Sequence, residues 1–347
     1  MADILLQETI LGDDLPLRNR VVMSSMTRNR CIDDNKPGPA VVEHYAAKAR
    51  DGVGLIIGEG TFVSANTSSF VNAPVLYRED HAEAWRKVTD AVHQEGGKML
   101  YQAWHYGALE CTGDVDEFEN PQEFIEQYRY SARLAKLAGF DGVELLAGGT
   151  TNSRRDAYSF QPVENRCRFL LEVLDTIIEV WGTPRRIGIK ICPSDDFNNT
   201  AVSYAELSET YDHLIQELLR RDIAYISLAR RGSEKEVKRQ RDPRPPGTEL
   251  PPGWEPLHQF GPPVKQASSR TALMVTTEYT VNEASGLIKE GKIDFVQLGH
   301  PFIYNPDLIT RIENDLPFAV NDRGGKIYYG PFLDVNEGYN DWPSAKA

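Results

Sequence analysis

Three ionisable residues in this chain of 347 residues stand where short apolar runs end, the places at which α/β proteins collect their chemistry. His105 closes KMLYQAWH, and an imidazole titrates near neutrality, so it can serve as general acid or base. Glu59 closes VGLIIGE and needs burial to raise its pKa before it could donate a proton. Lys190, within IGIKIC, needs burial to lower its own. A packed histidine and a backbone-bonded glutamate are the structural alternatives for the first two. Trp104, Tyr106, Arg230 and Tyr328 offer aromatic and cationic surface for a small-molecule pocket, or simply packing. Asp195 and Asp196 form an acidic pair with nothing nearby to complete a ligand set, so no metal is expected.

These residues need elements to hold them. Eight short apolar runs recur: RVVMSSM, VGLIIGE, KMLYQAW, FDGVELL, IGIKIC, IAYISLA, TALMVTT and FVQLG. They are continuous rather than strictly alternating, the pattern of parallel strands covered on both faces. Amphipathic stretches separate them, several ending in Gly, the residue that most often follows a helix C-terminus. Eight strand–helix repeats predict an α/β fold, a single (β/α)8 TIM barrel spanning residues 1–347. An open doubly wound sheet is the alternative, but MSSMTRNR after the first run is no Gly-rich phosphate loop. Residues 230–270 are out of proportion for a connection inside a compact domain and carry eight prolines. They follow the sixth strand and so predict a lid over the C-terminal mouth, mobile or closing across residues 232–265.

A hydrophobic content of 41% supports a sizeable core, and a net charge of −13 argues against nucleic acid and anionic membranes as partners. Cys31, Cys111, Cys167 and Cys192 are widely spaced with no C-x-x-C pair, which fits a reducing compartment. No run reaches the ~18 apolar residues of a membrane span, so a soluble cytoplasmic protein is expected.

The stretches RVVMSSMTRNR, IIGEGTFVS, YQAWHYG, AGFDGVE, NSRRDAY with VENRCRFLLEV, IGIKICP, LGHPFIYNPDLITRI and GYNDWP, in this order, resemble the old yellow enzyme family of FMN-dependent ene-reductases. The resemblance implies flavin contacts at Thr27, Gly60 and Gln102. It places Lys190 where the family has an Arg, Thr276-Thr277 at a phosphate-binding glycine, and His300 at a phosphate-binding Arg. Each exchange removes a favourable group: a β-branched residue for glycine, one imidazole donor for a guanidinium fork, a point charge for a planar one. The family's His-x-x-Asn pair, which anchors a substrate carbonyl, falls on Leu146 and Gly149, and the loop bearing the family's proton-donating Tyr is shortened away. None of the seven histidines has Asn or His three positions on, so no equivalent pair exists elsewhere.

These losses lead to the expectation of a cofactor-free barrel, a non-redox isomerase or cyclase acting on a hydrophobic unsaturated small molecule, with His105, Glu59 or Lys190 as its acid or base. The alternatives are an FMN-dependent NAD(P)H ene-reductase and a non-catalytic binding barrel.

Overall fold

The computed structural model describes residues 4–65, 70–105, 121–147, 162–195, 201–231, 244–330 and 332–345. A two-stranded hairpin, β1 (Thr9–Leu11) and β2 (Leu15–Leu17), precedes the main sheet. The sheet strands are β3 (Val21–Met23), β4 (Leu55–Ile57), β5 (Thr61–Phe62), β6 (Met99–Trp104), β7 (Gly142–Leu146), β8 (Ile187–Ile191), β9 (Tyr225–Ala229), β10 (Ala272–Thr276) and β11 (Phe295–Leu298). All their pairings are parallel. Both β4 and β5 pair with β6, so they form one interrupted stave and the sheet closes as an eight-stave barrel.

The helices of the outer layer are α1 (Pro39–Arg50), α2 (Glu79–Gln94), α3 (Pro121–Leu137), α4 (Val163–Trp181), α5 (Tyr204–Arg220), α6 (Pro256–Val264) and α7 (Val281–Lys289). Three shorter ones follow: α8 (Pro301–Tyr304), α9 (Leu308–Glu313) and α10 (Lys326–Tyr329). Local signals account for their limits. Ser203 and Glu206 form a reciprocal capping box at the start of α5, and Gly182 ends α4 in the left-handed region at φ 79°. Along α2, Ala82, Trp85, Val88 and Val92 recur at helical spacing and are buried against the barrel, Trp85 completely. Burying a large apolar side chain contributes about 1.5–3 kcal/mol.

Part of the segment expected as a lid is a structural layer. Residues 232–243 lie outside the described residues, but Pro256–Val264 is a helix that buries Leu257, Phe260 and Val264. Pro256 occupies the first helical turn, where its missing N–H costs nothing, and Pro262 and Pro263 fall in the last turn, so prolines here bound a short helix rather than exclude one. Among the described residues no helix is long and apolar enough to cross a membrane.

The period-2 alternation of strands divides their side chains between two environments. Ile56, Met99, Tyr101, Val143, Ile189 and Ile226 face the helix layer. Val22, Leu55, Ile57, Leu100, Tyr225, Met274 and Phe295 fill the barrel interior, and Leu11, Leu15 and Leu17 of the hairpin pack with them.

Candidate active site

Above this apolar plug the barrel interior turns polar. Glu144, fully buried on β7, accepts hydrogen bonds from Gln102 Nε2 (2.6 Å), Tyr225 Oη (2.9 Å) and Gln297 Nε2 (3.0 Å). A carboxylate buried in its ionised form needs oxygens this well supplied with donors. The layer continues upward: Ser24 Oγ donates to Gln297 Oε1 at 3.4 Å, and Lys190 Nζ donates to Ser24 Oγ at 3.4 Å. Sequence reasoning passed over Glu144, Gln297 and Ser24. The available signal was an acid inside the apolar run FDGVELL, in phase with Gly142 and therefore facing inward.

Gly60 lies at the rim of this layer. A Cβ there would stand 2.7 Å from the Trp104 ring and 3.2 Å from Gln102 Oε1, so only glycine fits and the backbone of one stave meets the amide of the next. Trp104 stacks on Phe62 (ring centroids 4.7 Å apart) and lies 6.1 Å from Phe70, forming an aromatic wall.

At the end of β10, Thr277 and Glu278 both adopt left-handed backbone, φ 79° and 54°. That conformation costs a β-branched residue on the order of 1–2 kcal/mol and persists only where the surroundings impose it. Arg230 supplies the constraint. Its N–H donates to Thr276 O at 3.1 Å and its Nη1 to Glu278 O at 3.3 Å. Its guanidinium pairs with Glu283 and lies 3.7 Å from the centre of the Tyr279 ring. Arg230 therefore braces this loop, which occupies it with protein partners where a pocket-lining role was expected.

The remaining expected residues are scattered. His105 is in phase with Tyr101 and Ala103, and its ring meets Phe124 of α3 edge-on at 4.9 Å, on the helix side of the barrel wall. This placement weighs against an acid–base role at the mouth. Glu59 is fully buried beneath the loop after β3, where burial raises its pKa to about 7 against the lowering influence of the Arg28 amide and of Arg28 and Arg30. Tyr328 stacks on His300 at 4.9 Å, and its hydroxyl bonds to Tyr304. Thr27 is half-buried on the loop after β3, and Leu146 ends β7 in phase with Glu144. Asp195 donates its N–H to Cys192 O at 3.1 Å. Tyr106, Gly149 and Asp196 lie outside the described residues. A surface groove of about 630 Å³ between α3 and α4, lined by Arg129, Arg133, Lys136, Leu137, Glu179 and Val180, shares no residue with the mouth.

Fold and mouth together define a parallel (β/α)8 barrel with a glycine-edged, amide-bearing site at the C-terminal ends of its strands. The chain belongs to the NADH:flavin oxidoreductase / NADH oxidase family, whose sequence model matches residues 9–122 and 117–318. It is 28% identical to the probable flavin mononucleotide-dependent alkene reductase of Leishmania infantum, over 98% of this chain and 97% of that protein. It is 30% identical to 12-oxophytodienoate reductase 7 of Oryza sativa subsp. japonica, over 94% of this chain and 91% of that protein. The structure of the old yellow enzyme homologue from Zymomonas mobilis superposes with a TM-score of 0.81 at 25% identity, covering 98% of this chain and 99% of that one. The resemblance to old yellow enzymes is thereby established.

These findings overturn the expectation of a cofactor-free isomerase or cyclase with a degenerate FMN site, because the family is one of NADH:flavin oxidoreductases and the Leishmania infantum relative is named a flavin mononucleotide-dependent alkene reductase. The physical reason lies in Thr277. Its φ of 79° keeps the backbone that a glycine would adopt, so exchanging the side chain cost strain rather than the loop's amide geometry. Lys190 likewise keeps a cation in the barrel mouth.

Proposed function

We propose that this chain is an FMN-dependent reductase that uses NAD(P)H to reduce the carbon–carbon double bond of a hydrophobic unsaturated carbonyl compound. The observation that carries the reading is the meeting of Gly60 with the Gln102 amide, whose Nε2 is committed to Glu144. This leaves a fixed amide edge at a backbone position that no side chain can occupy, which suits the polar edge of a flat ring. The left-handed Thr277–Glu278 loop braced by Arg230 suits a phosphate held by backbone N–H groups. The residues present therefore fit the cofactor. Thr27, Gly60, Gln102 and Lys190 would hold the ring and its chain, and Thr277 and His300 the phosphate end.

When bound, FMN would supply two-electron hydride chemistry between the nicotinamide and the substrate. The chain's own residues do the rest. Glu144 removes the rotational freedom of Gln102, so the amide is positioned before the ring arrives. Lys190 contributes positive charge where reduction adds electrons, and Trp104, Phe62 and Phe70 offer an apolar wall that excludes water. Leu146 stands where the family's carbonyl-anchoring His would be, so an enone receives less polarisation from this side of the mouth. Its protonation then falls to solvent or another mouth group, which favours substrates that are already strongly electron-poor.

The test is to purify the protein, add FMN and follow the visible flavin band under anaerobic conditions. NAD(P)H should bleach the band, and an α,β-unsaturated aldehyde or nitroalkene should restore it faster than a simple cyclic enone. A colourless protein that takes up no added FMN overturns the reading.

A further inference from the structure

The loop bearing Thr27 and the strand end bearing Gly60 are joined by one buried carboxylate. Glu59 Oε2 accepts the Arg28 backbone N–H at 3.0 Å, the Glu59 N–H donates to Tyr45 Oη at 2.9 Å, and the Glu59 carbonyl accepts from Thr61 Oγ1 at 2.8 Å. Arg28 directly follows Thr27, and Glu59 directly precedes Gly60. A single side chain thus spans two expected ring contacts that are 33 residues apart in sequence (60 minus 27).

The surroundings of this carboxylate are charged as well as buried. Arg28 and Arg30, both almost fully buried, face it. Arg28 Nη2 donates to Gly338 O (2.7 Å) and Ile327 O (3.2 Å), while Arg30 is held by the carbonyls of Arg28, Val335 and Glu337. The hydroxyls of Tyr45 and Tyr339 and the thiol of Cys31 complete the titratable groups around it. His44, stacked on Tyr339 at 3.9 Å, closes the far side. Among the described residues Glu59 Oε1 and Arg28 Nη1 have no hydrogen-bond partner, so one carboxyl oxygen is anchored while the other is available to a proton.

We propose that Glu59 is a positioning residue for the flavin of the reading above: it sets Thr27 and Gly60 relative to each other, and the charge on its carboxyl group is felt by the bound ring. The inference rests on flavin binding and adds to it a role for a residue that touches neither flavin nor substrate. A buried negative charge disfavours adding electrons nearby, because the interior screens it poorly. Burial also brings the group's titration to about pH 7, so the effect switches within an accessible range.

The experiment uses full-length protein reconstituted with FMN, as wild type, Glu59→Gln and Glu59→Asp. The flavin midpoint potential is measured between about pH 6 and 8, around the titration range, and FMN affinity by quenching of flavin fluorescence. Glu59→Gln should raise the potential above wild type at the alkaline end and remove an inflection that wild type shows across this range. Its FMN affinity should fall about tenfold, as for loss of a charge-assisted hydrogen bond. Glu59→Asp, shorter but still ionisable, should weaken FMN and keep the inflection. If the Gln variant fails to fold, the Asp variant decides on those same two readouts. Flavinated wild type with potential and affinity unchanged in the folded variants overturns the inference alone. Wild type that takes up no FMN overturns it together with the functional reading.

Discussion

Gln102 Nε2 donates to Glu144 Oε1 at 2.6 Å across the β6–β7 pair, with both side chains buried in the barrel interior. The bond makes Gln102 a fixed group rather than a mobile one, and three donors from β6, β9 and β11 converge on the same carboxylate.

Replacing Glu144 by Ala should therefore strand Gln102, Tyr225 and Gln297 together. Removing one partner from a buried, charged hydrogen-bond network costs about 3–5 kcal/mol, a large share of the ~5–15 kcal/mol that holds a domain folded. Urea denaturation should show the midpoint falling with little change in slope. Tyr225→Phe, which removes one donor of the three, should cost only about 1–2 kcal/mol.

Thr277→Gly should stabilise the protein by up to about 1 kcal/mol, since glycine takes φ 79° without the β-branched penalty, less the greater freedom it gains when unfolded. Thermal melting of apo-protein measures this, and FMN affinity should be equal or higher. A lower melting temperature would mean that the Thr277 side chain contributes contacts that outweigh its strain. Arg230→Ala should move affinity in the opposite direction, because the loop loses its brace from Glu278 O and Glu283.

The pH dependence of apo stability isolates Glu59. Its folded pKa is raised to about 7, so the folded state holds a proton that the unfolded chain releases above about pH 4.3. The associated stability is fully present below the unfolded pKa and is lost as pH rises through the folded one. Glu59→Gln cannot ionise and should escape this loss. The stability of the variant relative to wild type should therefore grow between about pH 4.5 and 7.5, to on the order of 3 kcal/mol. Urea titrations at several pH values would check it, and a difference that shrinks with rising pH contradicts the assignment.

His105→Ala should leave turnover within a few-fold of wild type, because its ring packs on Phe124 in the helix layer. The cost should appear instead as about 1–2 kcal/mol of stability from lost packing. A hundredfold loss of kcat with an unchanged melting temperature would return the imidazole to the chemistry.

The amino-acid sequence by itself determined the eight-strand barrel, because apolar runs and amphipathic helices are local patterns that the backbone period reads directly. Through its resemblance to a known family it also placed Gly60 after a strand and Gln102 and Lys190 on strands, and it put Leu146 in the place of a histidine. Only the tertiary structure decided what those residues meet. The partners of Glu144 lie 42, 81 and 153 residues away along the chain, and nothing local marks them as neighbours. The strained φ of Thr277 is likewise imposed from outside its own segment, by Arg230 at the end of another strand. A sequence displays side chains, whereas the loop at Thr277 and Glu278 is defined by its left-handed backbone. Backbone conformation depends on the surrounding packing as much as on the residue that adopts it, and for that reason a Thr in place of a Gly at position 277 reads as a larger change in the sequence than it is in the fold.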